Sequence, residues 1–173
     1  MTEASKPARS VGDPAQLLLG YLDYFRAVIA AKIDGLDDTA LRTSWVPSGW
    51  SPLELVKHLV YMERRWLRWG FLAEQVDEPL GDEDAPNHWA VRTEDTAALL
   101  VEAMHAGGVR TREIVEAAAL DDVAALGGRF QPGDEHPAPT LAWILQHVFE
   151  EYARHAGHLD VARELADGRI GEH

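Results

Sequence analysis

Apolar residues recur every three or four positions along four stretches of this chain, the spacing that lines one side of an α-helix. The first stretch sets Leu17, Leu18, Tyr21, Tyr24, Phe25 and Ile29 on one side of a helix expected over 14–34. Asp13 stands as its N-cap, Pro14 at the first helical position and Gln16 as the return partner of a capping box, and Gly35 ends it. The second begins with Ser51, Pro52 and Glu54, the same kind of signal, and runs to about Phe71 with Leu55, Leu59, Met62, Trp66 and Trp69 as its stripe. The third opens at Thr93 with Glu94 and Asp95 and continues to about Ala119; Gly107 and Gly108 weaken its middle by roughly 1 kcal/mol each. The fourth starts near Thr140 and reaches about Ala166 before Gly168, with Leu141, Ile144, Val148, Tyr152, Leu159 and either Val161 or Ala162 turned inward. No stretch alternates as a strand would. The pattern predicts an all-α fold, a four-helix bundle around one core.

The intervening segments complete the layout. Residues 1–12 are small and polar and are expected to be a disordered tail, 13–168 a single domain, and 169–173 a C-terminal tail. Residues 77–86 form an acidic loop containing Pro and Gly, and Gly and Pro crowd the loop from 127 to 139. Two words recur: GLDDTAL before LVKHLV, and ALDDVAAL before ILQHVF. A duplication would pair His58 with His147; the alternative is that Leu-Asp-Asp simply starts short helices.

Composition narrows the chemistry. At 173 residues one domain is favoured, and a net charge of −13 repels phosphate backbones, so nucleic acid is not an expected partner. Without cysteine there are no disulfides, thiolate metal sites or cysteine nucleophiles. The opening residues lack the apolar core of a secretion signal and no run is long enough to span a bilayer, so a cytoplasmic protein without membrane partners is expected.

The stretch EEYARHAGHLD, 150–160, carries two glutamates and two histidines within an otherwise amphipathic helix. Measured from His147, the apolar arc of this helix centres near about 120°, with His158 near about 20°, Glu151 near about 40° and His155 near about 80°. Glu151 and His155 therefore sit one turn apart and nearest the core, with His147 and His158 further out on the same flank and Glu150 on the far side. His58 lies at the edge of the second helix's stripe. A histidine from one helix and a Glu-x-x-x-His pair from another can converge on a metal ion and leave positions open to substrate. Equally, an edge histidine is commonly a hydrogen-bonded core residue and an i, i+4 Glu–His pair a plain surface contact, and spacing alone leaves both readings standing. The HExxH signature of zinc proteases is absent.

SGWSPLELVKHLVYMERRW at 48–66, taken with EEYARHAGHLDVARELADG at 150–168, resembles the DinB-like superfamily. More closely, it is similar to the actinobacterial branch related to mycothiol-dependent maleylpyruvate isomerase. The resemblance covers most of the chain and rests on the KHL word and the ARHAGHLDVARE run. It implies an up-down-down-up four-helix bundle binding a divalent metal through His58, Glu151 and His155, with His147 and His158 at positions the family does not use as direct ligands. It also implies thiol-dependent transfer or isomerisation of a small electrophile, with a low-molecular-weight thiol such as mycothiol or bacillithiol as cosubstrate.

Two imidazoles and a carboxylate suit zinc as first choice, with nickel, iron or manganese also compatible. His147 and His158 are candidates to orient a ligand or shuttle a proton, and Trp66, two turns from His58, is the tryptophan best placed to line a pocket. Arg64, Arg65 and Arg68 could meet an anionic substrate or simply be solvated, and the acidic loop over 77–88 could act as a lid. The competing functions are metal-assisted hydrolysis and a non-catalytic or stress-related metal-binding bundle, the latter expected to fill the ion with a fourth protein ligand. A homodimer is compatible with the sequence, which does not fix the oligomeric state.

Overall fold

Helix starts follow the caps. In the computed structural model, which describes residues 5–171, Asp13 accepts the Gln16 N–H at 3.0 Å and opens α1 (Pro14–Ile33). Asp37 caps the short α2 (Asp38–Arg42). The full reciprocal box forms at Ser51 and Glu54, opening α3 (Pro52–Arg64). Thr96 caps α4 (Ala97–Glu116), and Thr140 caps α5 (Leu141–Asp167), which Gly168 ends in the left-handed conformation. The described chain is mostly helical, as the hydrophobic pattern predicts.

Three details differ from expectation. The third helix begins at Ala97 rather than Thr93, because the Asp95 carboxylate is bound instead by the Arg92 N–H at 2.6 Å and Lys57 Nζ at 2.8 Å, closing a turn ahead of the helix. The continuation of α3 over Arg65–Phe71 is π-helical. Its wider turn leaves the Trp69 and Phe71 carbonyls to accept the N–H groups of Arg129 at 3.0 Å and Ala125 at 2.9 Å, so the loop before α5 docks there. Gly128 is required at that contact: a Cβ would stand 2.1 Å from the Trp69 carbonyl oxygen. Finally, no strand is expected, yet the acidic loop folds into an antiparallel hairpin of β1 (Glu83–Ala85) and β2 (His88–Trp89).

Contacts along the long helices fix their directions. Tyr21 meets Phe149 and Lys32 meets Asp160, so α1 and α5 run the same way. Lys57 pairs with Asp95 and Glu63 with Thr111, so α3 and α4 do too. Asp23 binds Arg112 while Arg26 lies beside Gly108, and Tyr152 reaches Glu63 while His147 meets Trp66, so α1 opposes α4 and α3 opposes α5. The core between them holds Leu19, Leu22, Ile29, Leu55, Leu59, Met62, Leu141, Ile144, Val148, Tyr152 and Leu159. On α1 the buried stripe is Leu19, Leu22, Arg26, Ile29 and Ile33, rotated from the expected one. Tyr21 and Phe25 sit at its margin because both pack edge-on against Phe149. On α5, Ala162 is buried and Val161 is exposed.

One carboxylate ties the helices together. Glu63 accepts from Arg26 of α1, Thr111 of α4 and the Tyr152 hydroxyl of α5, all buried. The glycine pair in α4 makes room for this: a Cβ on Gly108 would come within 2.8 Å of the Arg26 guanidinium carbon.

Of the expected N-terminal tail, residues 1–4 lie outside the described residues; Lys6 lies over the Tyr24 ring and Pro7 against Gly20. Of the expected C-terminal tail, 172 and 173 lie outside them, and the Gly171 carbonyl accepts from Lys32. Among the described residues no helix is long and apolar enough to cross a membrane.

The Asp95–Lys57 pair gives a pH-dependent contribution. Burial opposes the Asp95 charge, but Lys57 and the Arg92 N–H outweigh it and hold its carboxyl below the usual range. A depressed folded value means stability present above the unfolded value and lost as pH falls through the folded one. Asp95→Asn is expected to cost about 1–3 kcal/mol at pH 7, since Lys57 is buried and loses its counter-charge. In urea titrations the gap between wild type and variant should close as pH drops below about 4; a gap independent of pH would refute the assignment.

Candidate metal centre

Antiparallel packing of α3 on α5 brings the edge of one stripe to the edge of the other. His58 from α3 meets Glu151 and His155, one turn apart on α5. Glu151 Oε2 lies 3.0 Å from His155 Nε2 and 3.8 Å from His58 Nε2, and one donor atom from each of the three residues falls within 4.8 Å of the others. Ligands at usual distances from a tetrahedral ion stand about 3.3–3.5 Å apart, so these separations fit a single cation. His155 is buried, and His58 and Glu151 are mostly so.

The outer partners fit as well. His58 Nδ1 is 3.1 Å from Asp82 Oδ2; a carboxylate only accepts, so that nitrogen carries the proton and Nε2 keeps its lone pair for the centre. Asp82 is fully buried and is itself held by Arg65. His155 Nδ1 lies 3.1 Å from His158 Nδ1, so with an ion at the centre His155 would donate there and turn the Nε2 lone pair to the metal. Both imidazoles thus have a partner that orients them.

Electrostatics follow these contacts. The neighbouring His155 and then His58 rings hold the Glu151 carboxyl far below the carboxylate range. Burial pulls the His58 value down, yet Asp82 and Glu151 outweigh it and raise it. Burial dominates at His155 and His147, lowering both.

Aromatic rings close the surroundings. Trp89, from β2, stacks on His58 with centroids 4.2 Å apart, and Trp50 lies 5.7 Å from the His158 ring. His147 packs against both Trp66, at 4.3 Å, and Trp143, at 5.5 Å, with its Nε2 4.0 Å from Glu151 Oε1. Neither His147 nor His158 joins the three-residue cluster. Arg64 and Arg68 are committed to the Asp77 and Glu78 carbonyls and to Glu74; Arg65 alone of the three bears on the site, through Asp82.

Asp82 and Trp89 are the site residues that sequence reasoning misses. Asp82 comes from the loop expected as a lid, where it is one acid among several and only the hairpin selects it, and Trp89 follows directly after that loop. The hairpin's base is tied by the Ala90 N–H to the Asp82 carbonyl at 2.8 Å, which brings Asp82 to the Nδ1 edge of His58 and Trp89 to its face.

A family model described as mycothiol-S-transferase matches residues 17–168. No curated protein matches the chain.

Proposed function

Because this chain belongs to the mycothiol-S-transferase family, a DinB-like family, we propose that it is a metal-dependent S-transferase joining mycothiol to a small electrophile in the cytoplasm. The observation that carries the reading is the convergence of His58 Nε2, Glu151 Oε2 and His155 Nε2 in a chain of this family. The pairwise helix directions support an up-down-down-up four-helix bundle as the scaffold.

The three side chains would hold a divalent ion, zinc first, with His58 and His155 as imidazole ligands and Glu151 as the carboxylate. When bound, such an ion supplies positive charge that stabilises a thiolate at neutral pH. Asp82 and His158 keep each ligand ring in its working tautomer. His147, kept neutral by its burial, is placed to accept the thiol proton at Nε2. Trp89, stacked on His58, and Trp66, packed against His147, give the site apolar walls. In the transfer a sulfur–carbon bond forms and the leaving group departs with its bonding pair. A three-ligand cluster supports turnover over storage, because the non-catalytic reading requires a fourth protein ligand.

The test is conjugation of mycothiol to monochlorobimane, read by fluorescence. The protein should accelerate it by about 100-fold or more over the spontaneous rate, a modest part of what orientation supplies. Chelation should abolish the gain and zinc restore it. A rate equal to the uncatalysed one with metal present would overturn the proposal.

A further inference from the structure

The turn that leads into α3 and the β1–β2 hairpin face each other across a cleft of about 210 Å³, lined by Ser48, Trp50, Glu54, Asn87, His88 and Trp89. Its two tryptophans join it to the metal centre. Trp89 stacks on His58 and lies 5.3 Å from the His155 ring, and Trp50 packs against His158, the partner of His155. The cleft is thus one indole away from two of the three ligands. Local structure fixes one of its walls. Gly49, left-handed at φ 92°, gives its N–H to the Val46 carbonyl and closes the turn, and Ser51 then caps α3, so Trp50 is held between two anchored neighbours.

The lining disfavours two classes of occupant and suits a third. It holds no lysine or arginine and includes Glu54, so an anion gains no counter-charge and meets a like one. A purely apolar molecule would use the indoles and leave the hydroxyl, carboxamide and carboxylate facing it unmatched. A neutral ring bearing several hydroxyls uses both kinds of surface. Its C–H face lies on an indole, and its hydroxyls, which donate and accept, meet Ser48, Asn87 and Glu54. Among the described residues neither the Ser48 hydroxyl nor the Asn87 carboxamide is already engaged. The wider cleft beside Trp66 and Trp143 is walled mainly by Phe130, Pro137 and Pro139 and suits such a ring less well.

We infer that the cleft between turn and hairpin binds a polyhydroxylated ring of the thiol cosubstrate, and that Trp50 and Ser48 favour a sugar-bearing thiol over a small one. The word thiol rests on the proposed S-transfer; the preference for a hydroxylated ring does not. Mycothiol meets the description, since its sulfur sits on an N-acetylcysteinyl arm joined to two such rings.

The test compares mycothiol with N-acetylcysteinamide, the same arm without the rings, using zinc-supplied protein and monochlorobimane. Wild type should favour mycothiol by about 30-fold or more in kcat/KM, because the rings add binding energy remote from the sulfur. Ser48→Ala should raise the mycothiol KM about threefold or more, the worth of one hydrogen bond. Trp50→Ala should raise it about tenfold or more, and Trp50→Phe should recover part of that. In all three variants kcat/KM for N-acetylcysteinamide should stay within about twofold of wild type. A disturbed metal centre would slow both thiols together, so equal losses on the two, or an unchanged mycothiol KM, would overturn the inference. Saturation-transfer NMR with N-acetylglucosaminyl-inositol, which has both rings and no sulfur, should show contact with wild type and lose it in Trp50→Ala. Contact with that probe in the absence of any S-transfer would sink the proposed function and leave this subsite intact. S-transfer that treats the two thiols alike, with no contact to the probe, would do the reverse.

Discussion

Glu151→Gln is expected to leave the purified protein nearly free of metal, while wild type prepared without added metal carries close to one divalent ion per chain. The substitution keeps the side chain's shape and removes its charge, so the fold should persist and the centre should not. Glu151 is the ligand whose oxygen lies within reach of both imidazoles, and its loss leaves two neutral donors. Removing an orienting partner alone typically costs 10–100-fold in affinity, so losing this ligand should cost on the order of 100-fold or more. Asp82→Asn gives the graded control: the ligands stay, His58 must compete with Arg65 for a single neutral amide oxygen, and affinity should fall by about 10–100-fold. Elemental analysis followed by competition with a chromophoric chelator measures both. Equal metal content in wild type and Glu151→Gln would remove the centre from this site.

Glu63→Ala is expected to be the most destabilising single change outside the metal centre. The carboxylate accepts from three other helices, and Arg26, buried against it, would be left with only the half-exposed Asp23. An uncompensated buried charge costs about 3–5 kcal/mol, which in a domain of this size lowers Tm by roughly 10 °C or more. Glu63 is also why Arg26 stays firmly charged although burial opposes it. Replacing the pair together, as Arg26→Met with Glu63→Leu, should recover most of that loss, because no charge is then stranded. Calorimetry on the two variants decides between a cluster that matters for its pairing and one that is incidental; a loss below about 1 kcal/mol in Glu63→Ala would show the latter.

Much of this was readable from one chain of letters. Ser51 with Glu54, and Thr140 with Gly168, mark helix ends by local chemistry that needs no partner, and they hold. Helical phase alone set Glu151 and His155 nearer the core than His147 and His158. What could not be read depends on contacts between distant segments. Asp82 acquires its role from Arg65 and His58, and nothing near it distinguishes it from Asp77 or Glu83. The late start of α4 has the same origin, since Lys57 draws Asp95 away from the helix. The π-helical turn is fixed by a loop more than fifty residues further on, so its own residues, RWLRWGF, read as ordinary helix. Arg26 and Glu63 look like surface charges until Gly108 shows where they fit.

The hairpin has a bearing on where this protein can be altered. Asp82 and Trp89 are clamped at its base, while Asp84 through His88 project into solvent with Asn87 at the bend. Sequence spliced in at that tip, a tag or a grafted peptide, would hang clear of both anchors. The same length inserted a few residues earlier, between Pro79 and Asp82, would drag the carboxylate off His58. Two neighbouring positions therefore differ completely in their tolerance of added length, and the boundary between them is a single backbone hydrogen bond from Ala90.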